Sequence, residues 1–172
     1  MRNTVKGFRL DDKVLSELKT ESREKRITLN NHVNNILAVH NETYRNLQKL
    51  HYIWLSPELL QLIINHVPER GIKKTGDAYL KDLKKQVRYC HGDLDSHSIM
   101  DTIENICCMQ DIPVNIKEFT DGSKQYTIIH GLGKKWSMIQ KYALEKAFSE
   151  INTTVTKFCI NCDHITFTIN HQ

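Results

Sequence analysis

The sequence predicts an α+β protein in two parts, a short β-α-α module over residues 1–50 and an α+β body over residues 52–172. Three observations predict it. Apolar residues recur at three- and four-residue steps along most of the chain, but the pattern turns strand-like near the start and twice near the end. Gly (7) and Pro (3) are scarce among 172 residues, of which 40% are hydrophobic and 26% charged, so a disordered or fibrous chain is excluded. The charge is also uneven: residues 1–50 hold ten Lys and Arg against six acids, which accounts for the whole formal net charge of +4. A cationic module beside a neutral one suits a phosphate-binding head with a separate body.

No apolar run approaches the ~18–20 residues that span a bilayer, and residues 1–10 lack the apolar core of a secretory signal. The expected address is therefore the cytoplasm. Five Cys, an odd number that includes the adjacent Cys107 and Cys108, do not read as a disulfide framework.

Thr4-Val5-Lys6-Gly7-Phe8-Arg9-Leu10 is a β-compatible run that stops at Asp11-Asp12, which suit a helix cap and first turn. Val14, Leu15 and Leu18 mark one face of a first helix that fades near Glu24-Lys25-Arg26. Thr28 caps a second, longer helix, on which Leu29, Val33, Ile36, Leu37, His40, Tyr44 and Leu47 keep helical spacing to about residue 50. One strand and two helices hold too little apolar surface for a core, and a lone strand leaves an unpaired edge. A dimer solves both problems, with strands from two chains paired antiparallel and the helices interlocked around them.

This order of elements resembles the ribbon-helix-helix family of DNA-binding regulators, the group that contains the Arc, MetJ and CopG repressors. The resemblance rests on residues 5–11, on Val14-Leu15-Ser16-Glu17-Leu18 and on residues 27–37, and it covers about a quarter of the chain. It implies that the paired strands enter the major groove of double-stranded DNA while the start of the second helix meets a phosphate. With Phe8 and Leu10 facing inward, the outward positions are Val5, Gly7 and Arg9, and Arg9 is the base-reading candidate because a guanidinium spans the two acceptors of guanine. Lys6 reaches phosphates from the strand end. Thr28, Leu29, Asn30 and Asn31 surround the free N–H groups of the second helix. The sequence departs from the family at Gly7, which offers no side chain, and at Lys6, which falls on the buried face. A register shifted by one residue exposes Thr4 and Lys6 instead.

The body is predicted as three helices, a hairpin, a helix and a second hairpin. Ser56-Pro57-Glu58 starts a helix carrying Leu59, Leu60, Leu62, Ile63, Ile64 and Val67. Residues 51–55 before it read as the hinge between domains. Two stripes follow, Tyr79, Leu80, Leu83, Val87 and then Ile99, Met100, Ile103, Ile106, Cys107, with Ser96 as a candidate cap. Residues 114–119 and 125–129 are strand-like around the turn Thr120-Asp121-Gly122-Ser123. After Gly131 and Gly133 a helix bears Trp136, Ile139, Ala143, Ala147 and Ile151, and residues 155–160 and 165–169 close the chain as a hairpin. The segment His130-Gly131-Leu132-Gly133-Lys134-Lys135-Trp136-Ser137 is similar to a junction in C-terminal domains fused to archaeal ribbon-helix-helix proteins, a similarity that assigns no chemistry.

The candidate metal ligands are Cys159, Cys162 and His164, in a C-x-x-C with a nearby His. A structural zinc site needs four ligands, and Cys90, His91 and His97 or His130 complete it only if the fold brings them together. Ordinary strand and turn residues are the preferred reading, so no metal and no cofactor are expected. No phosphate-binding, zinc-protease or serine-hydrolase motif occurs, and no nucleophile is paired with a base, so the chain does not read as an enzyme. The expected function is that of a homodimeric, nucleoid-associated transcription regulator acting by occupancy of sequence-specific DNA. Its body would serve higher oligomerisation, a small effector or a protein partner. The alternatives are an antitoxin-like interaction protein and a metal-sensing regulator.

Overall fold

A computed structural model of the chain describes residues 7–49 and 55–170. The chain is an α+β protein that divides into two compact units, Met1–Glu42 and Thr43–Gln172. Of the hinge expected at 51–55, all but Leu55 lies outside the described residues.

The first unit contains α1, Asp12–Glu24, and α2, Leu29–Val39. Each is started by a side-chain cap: the Lys13 N–H donates to Asp11 Oδ1 (2.8 Å) and the Asn31 N–H to Thr28 Oγ1 (3.2 Å). Between them Arg26 takes a left-handed conformation (φ 54°), with Arg26 N–H donating to the Arg23 carbonyl and Ile27 N–H to the Ser22 carbonyl, both at 3.0 Å. That pair of bonds satisfies two carbonyls of the last turn of α1 and turns the chain into α2. The second helix is not uniform to residue 50 as the periodicity predicts. After α2 the backbone widens into a π-helical stretch, His40–Tyr44, before α3, Arg45–Lys49.

The strand expected over residues 4–10 is not seen. Val5 and Lys6 lie outside the described residues, residues 7–10 belong to no helix or strand, and the first element is α1. The reason is physical: a strand is defined by a ladder of hydrogen bonds to a neighbour, and among the described residues of this unit no second strand exists.

The second unit follows the predicted order. α4, Pro57–Asn65, is capped by Ser56 Oγ, which accepts from the Leu59 N–H (3.3 Å), and has Pro57 at its first position. A single 3-10 turn at Glu69–Gly71 leads into α5, Ile72–His91. α6, Ser96–Met109, is capped by Asp95 rather than Ser96, with the Ser98 N–H on Asp95 Oδ1 at 2.8 Å. β1, Val114–Glu118, and β2, Lys124–Ile129, form the first hairpin, α7 is Lys134–Glu150, and β3, Thr154–Ile160, and β4, His164–Asn170, form the second.

The two hairpins join into one antiparallel sheet of order β1-β2-β4-β3, in which Ile128 pairs with Ile165 and Tyr126 with Phe167. Alternation sends Tyr126, Ile128, Ile165, Phe167 and Ile169 to one face, where they are buried with Leu80, Leu83 and Val87 of α5, Ile99 and Ile103 of α6, and Ala143, Leu144 and Phe148 of α7. Tyr126 and Phe158 stack on Phe167 at centroid distances of 5.7 and 5.6 Å. A smaller cluster, Ile64, Ile72 and Ile139, ties α4 to α5 and α7.

Candidate functional site

In the first unit the sequence-predicted contact residues lie on the surface. Gly7 and Arg9 are exposed, and no atom comes within 4 Å of where a Gly7 side chain would start. Asn30 and Asn31 are exposed at the start of α2 and Leu29 is partly buried, while Thr28 is used as the cap, with the His32 N–H on its carbonyl at 2.9 Å. Val5 and Lys6 lie outside the described residues. Arg9, Lys13, Lys19, Arg23, Lys25 and Arg26 are all exposed.

The apolar side chains of this unit are exposed too. Phe8 is 74% exposed, and Leu10, Val14, Ile36 and Leu37 lie between 42% and 47%. Among the described residues of the unit only Ser22 and His32 are buried, and neither is hydrophobic. His32 Nε2 meets Glu21 Oε2 at 2.8 Å, so a polar contact joins α2 to α1 where a core would ordinarily do so.

In the second unit Cys159 and Cys162 are exposed and His164 is partly buried. Among the described residues no group of three or more His, Cys, Asp and Glu side chains is gathered so as to hold a metal ion. The hairpin tip is built for its own turn: the Asn161 N–H donates to the His164 carbonyl (3.0 Å), and the Cys162 N–H to Asn161 Oδ1 (2.8 Å).

The junction from β2 to α7 is organised by His130, which is buried. The Leu132 N–H donates to its Nδ1 (2.9 Å), which places the ring proton on Nε2, facing Ser137 Oγ at 2.8 Å. Ser137 Oγ in turn donates to the Asn161 carbonyl (2.7 Å), while Gly133 N–H donates to the Cys162 carbonyl (2.8 Å). Gly131 (φ 64°) and Gly133 (φ 89°) supply the left-handed turns that let this loop close. Burial, reinforced by the nearby His164, pushes the His130 imidazole down to about 4, so it is neutral at neutral pH.

Beside this junction lies a cavity of about 180 Å³. Leu83 of α5, Ile103 of α6, Ile128 of β2, Leu132, and Trp136 of α7 form its apolar wall. Tyr79 meets Trp136 edge-on at 5.3 Å. Polar side chains interrupt the wall at Tyr79, Asp82, Gln86, Gln110, His130 and Gln140. Burial pushes the Tyr79 phenol up to about 12, with Cys107 adding to the effect and a hydrogen bond from the Gln140 amide opposing it. Gln140 is only 6% exposed, and its Oε1 has no hydrogen-bond partner among the described residues. The sequence carried one signal for this group. Gln140 lies four residues after Trp136 and one after Ile139, so a polar amide stands within the apolar stripe of α7.

No protein-family model, no curated protein and no solved structure matches this chain.

Proposed function

We propose that two copies of this chain associate through the first unit and bind double-stranded DNA as a sequence-specific transcription regulator of the ribbon-helix-helix type. The observation that carries the proposal is the exposure of Phe8, Leu10, Val14, Ile36 and Leu37 in a unit with no buried hydrophobic side chain among its described residues. Fully burying a side chain of this kind stabilises by ~1.5–3 kcal/mol, so covering five that stand about half exposed gives roughly 5 kcal/mol per chain. A dimer would collect that twice, enough to offset much of the cost of association.

In the proposed dimer residues 4–10 of the two chains pair antiparallel, which supplies the ladder that one chain cannot build. Arg9 then faces the base edges, Lys6 and the exposed cations of α1 approach phosphates, and the free N–H groups of Leu29 and Asn30 receive a phosphate at the start of α2. Regulation follows from occupancy of the site, and the second unit serves as the accessory body.

Selection of bound sequences from a random duplex pool by the full chain tests this. The wild type should enrich two half-sites, with affinity falling steeply as salt rises, because counterions are released from the phosphates. Arg9→Ala should flatten the preference at a guanine by ~1–3 kcal/mol. A pool left unchanged by the wild type at low salt overturns DNA recognition; an identical consensus from both proteins removes Arg9 from base reading.

A further inference from the structure

The cavity of the second unit combines two features. Its wall is apolar and aromatic, from Leu83, Ile103, Ile128, Leu132 and Trp136, yet it contains a carbonyl oxygen, Gln140 Oε1, buried and without a partner among the described residues. A buried acceptor in such surroundings is costly unless something donates to it. The His130 ring also lines the space but is fully engaged, Nδ1 by the Leu132 N–H and Nε2 by Ser137 Oγ, so it contributes a surface and no free valence. Gln86 is directed at Asp82, with its Nε2 3.5 Å from Asp82 Oδ2. Of the described lining residues, Gln140 is the one with a buried side-chain oxygen or nitrogen that has no hydrogen-bond partner.

Size and charge narrow the occupant. A volume of about 180 Å³ is slightly above the ~150 Å³ of an engineered apolar cavity that takes up benzene. One aromatic ring with a small substituent, or a compact fused pair of rings, fits that space. Among the described lining residues Asp82 alone carries a formal charge at neutral pH, and no Lys or Arg is present, so a carboxylate or phosphate would find no counter-charge. The edge of Trp136 and the ring of Tyr79 favour an aromatic face.

We propose that this cavity binds a small, neutral aromatic molecule bearing one hydrogen-bond donor, an indole- or phenol-like compound whose N–H or O–H is accepted by Gln140 Oε1. The site lies wholly within the second unit, so its occupation does not depend on DNA recognition by the first.

The test is calorimetric titration of the full chain, without DNA, using indole and its isostere benzofuran, which has the same shape but no donor. Indole should bind saturably at one site per chain and benzofuran about tenfold more weakly, the factor expected for one buried hydrogen bond. Gln140→Leu should make the two probes equal, mainly by weakening indole. Ile106→Phe, which fills the space from α6, should weaken both probes. Equal binding of indole and benzofuran by the wild type, or no saturable binding of indole, overturns the proposal and leaves the space to water. If Gln140→Leu fails to fold, the comparison of the two probes on the wild type still decides the matter.

Discussion

His130 makes the stability of the second unit depend on pH in a window that can be stated from its contacts. The native fold holds its imidazole neutral, at about 4 against an ordinary 6.5, because the ring is buried and His164 lies nearby. Asp163 acts in the opposite direction and does not prevail. An unfolded chain protonates this histidine near 6.5, so between 6.5 and 4 the unfolded state binds the extra proton. The stabilisation is therefore fully present above pH 6.5 and lost as pH falls toward 4. At ~1.36 kcal/mol per pH unit this comes to about 3 kcal/mol. Urea unfolding of the full chain at pH 7.5, 6.0 and 4.5, followed by tryptophan fluorescence, measures it, with His130→Asn as the reference. The asparagine can accept from the Leu132 N–H but does not titrate. Asp77, Asp95, Glu118 and Asp121, whose carboxyls are all held below the usual range by hydrogen bonds, also lose stabilisation in acid, but they do so in both proteins and cancel in the difference. The variant should start less stable at pH 7.5 and lose about 2–3 kcal/mol less than the wild type on going to pH 4.5. Equal losses in the two proteins would refute the role of the neutral ring.

Two other perturbations read separate parts of the molecule. Gly76 lies where α5 approaches α7 so closely that an added Cβ would stand 2.4 Å from Tyr142 Cδ1, so Gly76→Ala must turn that ring and give up the Tyr142 hydroxyl's bond to Asp77 (3.1 Å). Overpacking of ~1–3 kcal/mol exceeds the ~1 kcal/mol gained in helix propensity, and urea unfolding should show a net loss of about 1 kcal/mol; a gain would mean that the helices separate freely. For the first unit, sedimentation should report a dimer, and the melting midpoint of the N-terminal transition should fall on about hundredfold dilution while that of the second unit stays put. A concentration-independent monomer would contradict the association proposed here.

The second unit was legible because each of its elements is announced locally. Helical spacing marks α4 to α7, Ser56-Pro57 marks a start, and Thr120-Asp121-Gly122-Ser123 marks a turn in which Asp121 Oδ1 accepts from both the N–H and the hydroxyl of Ser123. What was not legible depends on residues far apart in sequence or on turns without a glycine signal. Nothing local says that β2 pairs with β4 across an intervening helix and strand, which turns two hairpins into one sheet. The ends of α1, α6 and α7 are made by Arg26, Asp111 and Asn152 in left-handed conformations (φ 54°, 54° and 56°), with the next N–H reaching back five residues in each case. Glycine is the usual sign of such an end, and none is there to read. The cavity was hidden for a related reason: one glutamine inside an apolar stripe stands out only once its neighbours from α5, α6 and β2 are seen around it.

The first unit marks a different boundary. Helices α1 and α2 form within one chain because their hydrogen bonds and caps are local: Asp11, Thr28 and the Arg26 turn all act within a few residues. A strand has no such autonomy. The period-two pattern of residues 4–10 specifies which side chains would share a face if a ladder existed, and it cannot supply the ladder. The predicted strand and the observed irregular backbone of residues 7–10 therefore answer different questions. The quantity that bears on the sequence reading is the exposure of Phe8 and Leu10 together with Ile36 and Leu37 of α2. A pattern that merely happened to alternate would not require its two inward positions to be large hydrophobes left in solvent, as Ile36 and Leu37 of α2 are too. Exposed apolar side chains of this size count toward an interface only if they are contiguous, which is why the concentration dependence of the N-terminal transition, and not the exposure alone, tests the proposed dimer.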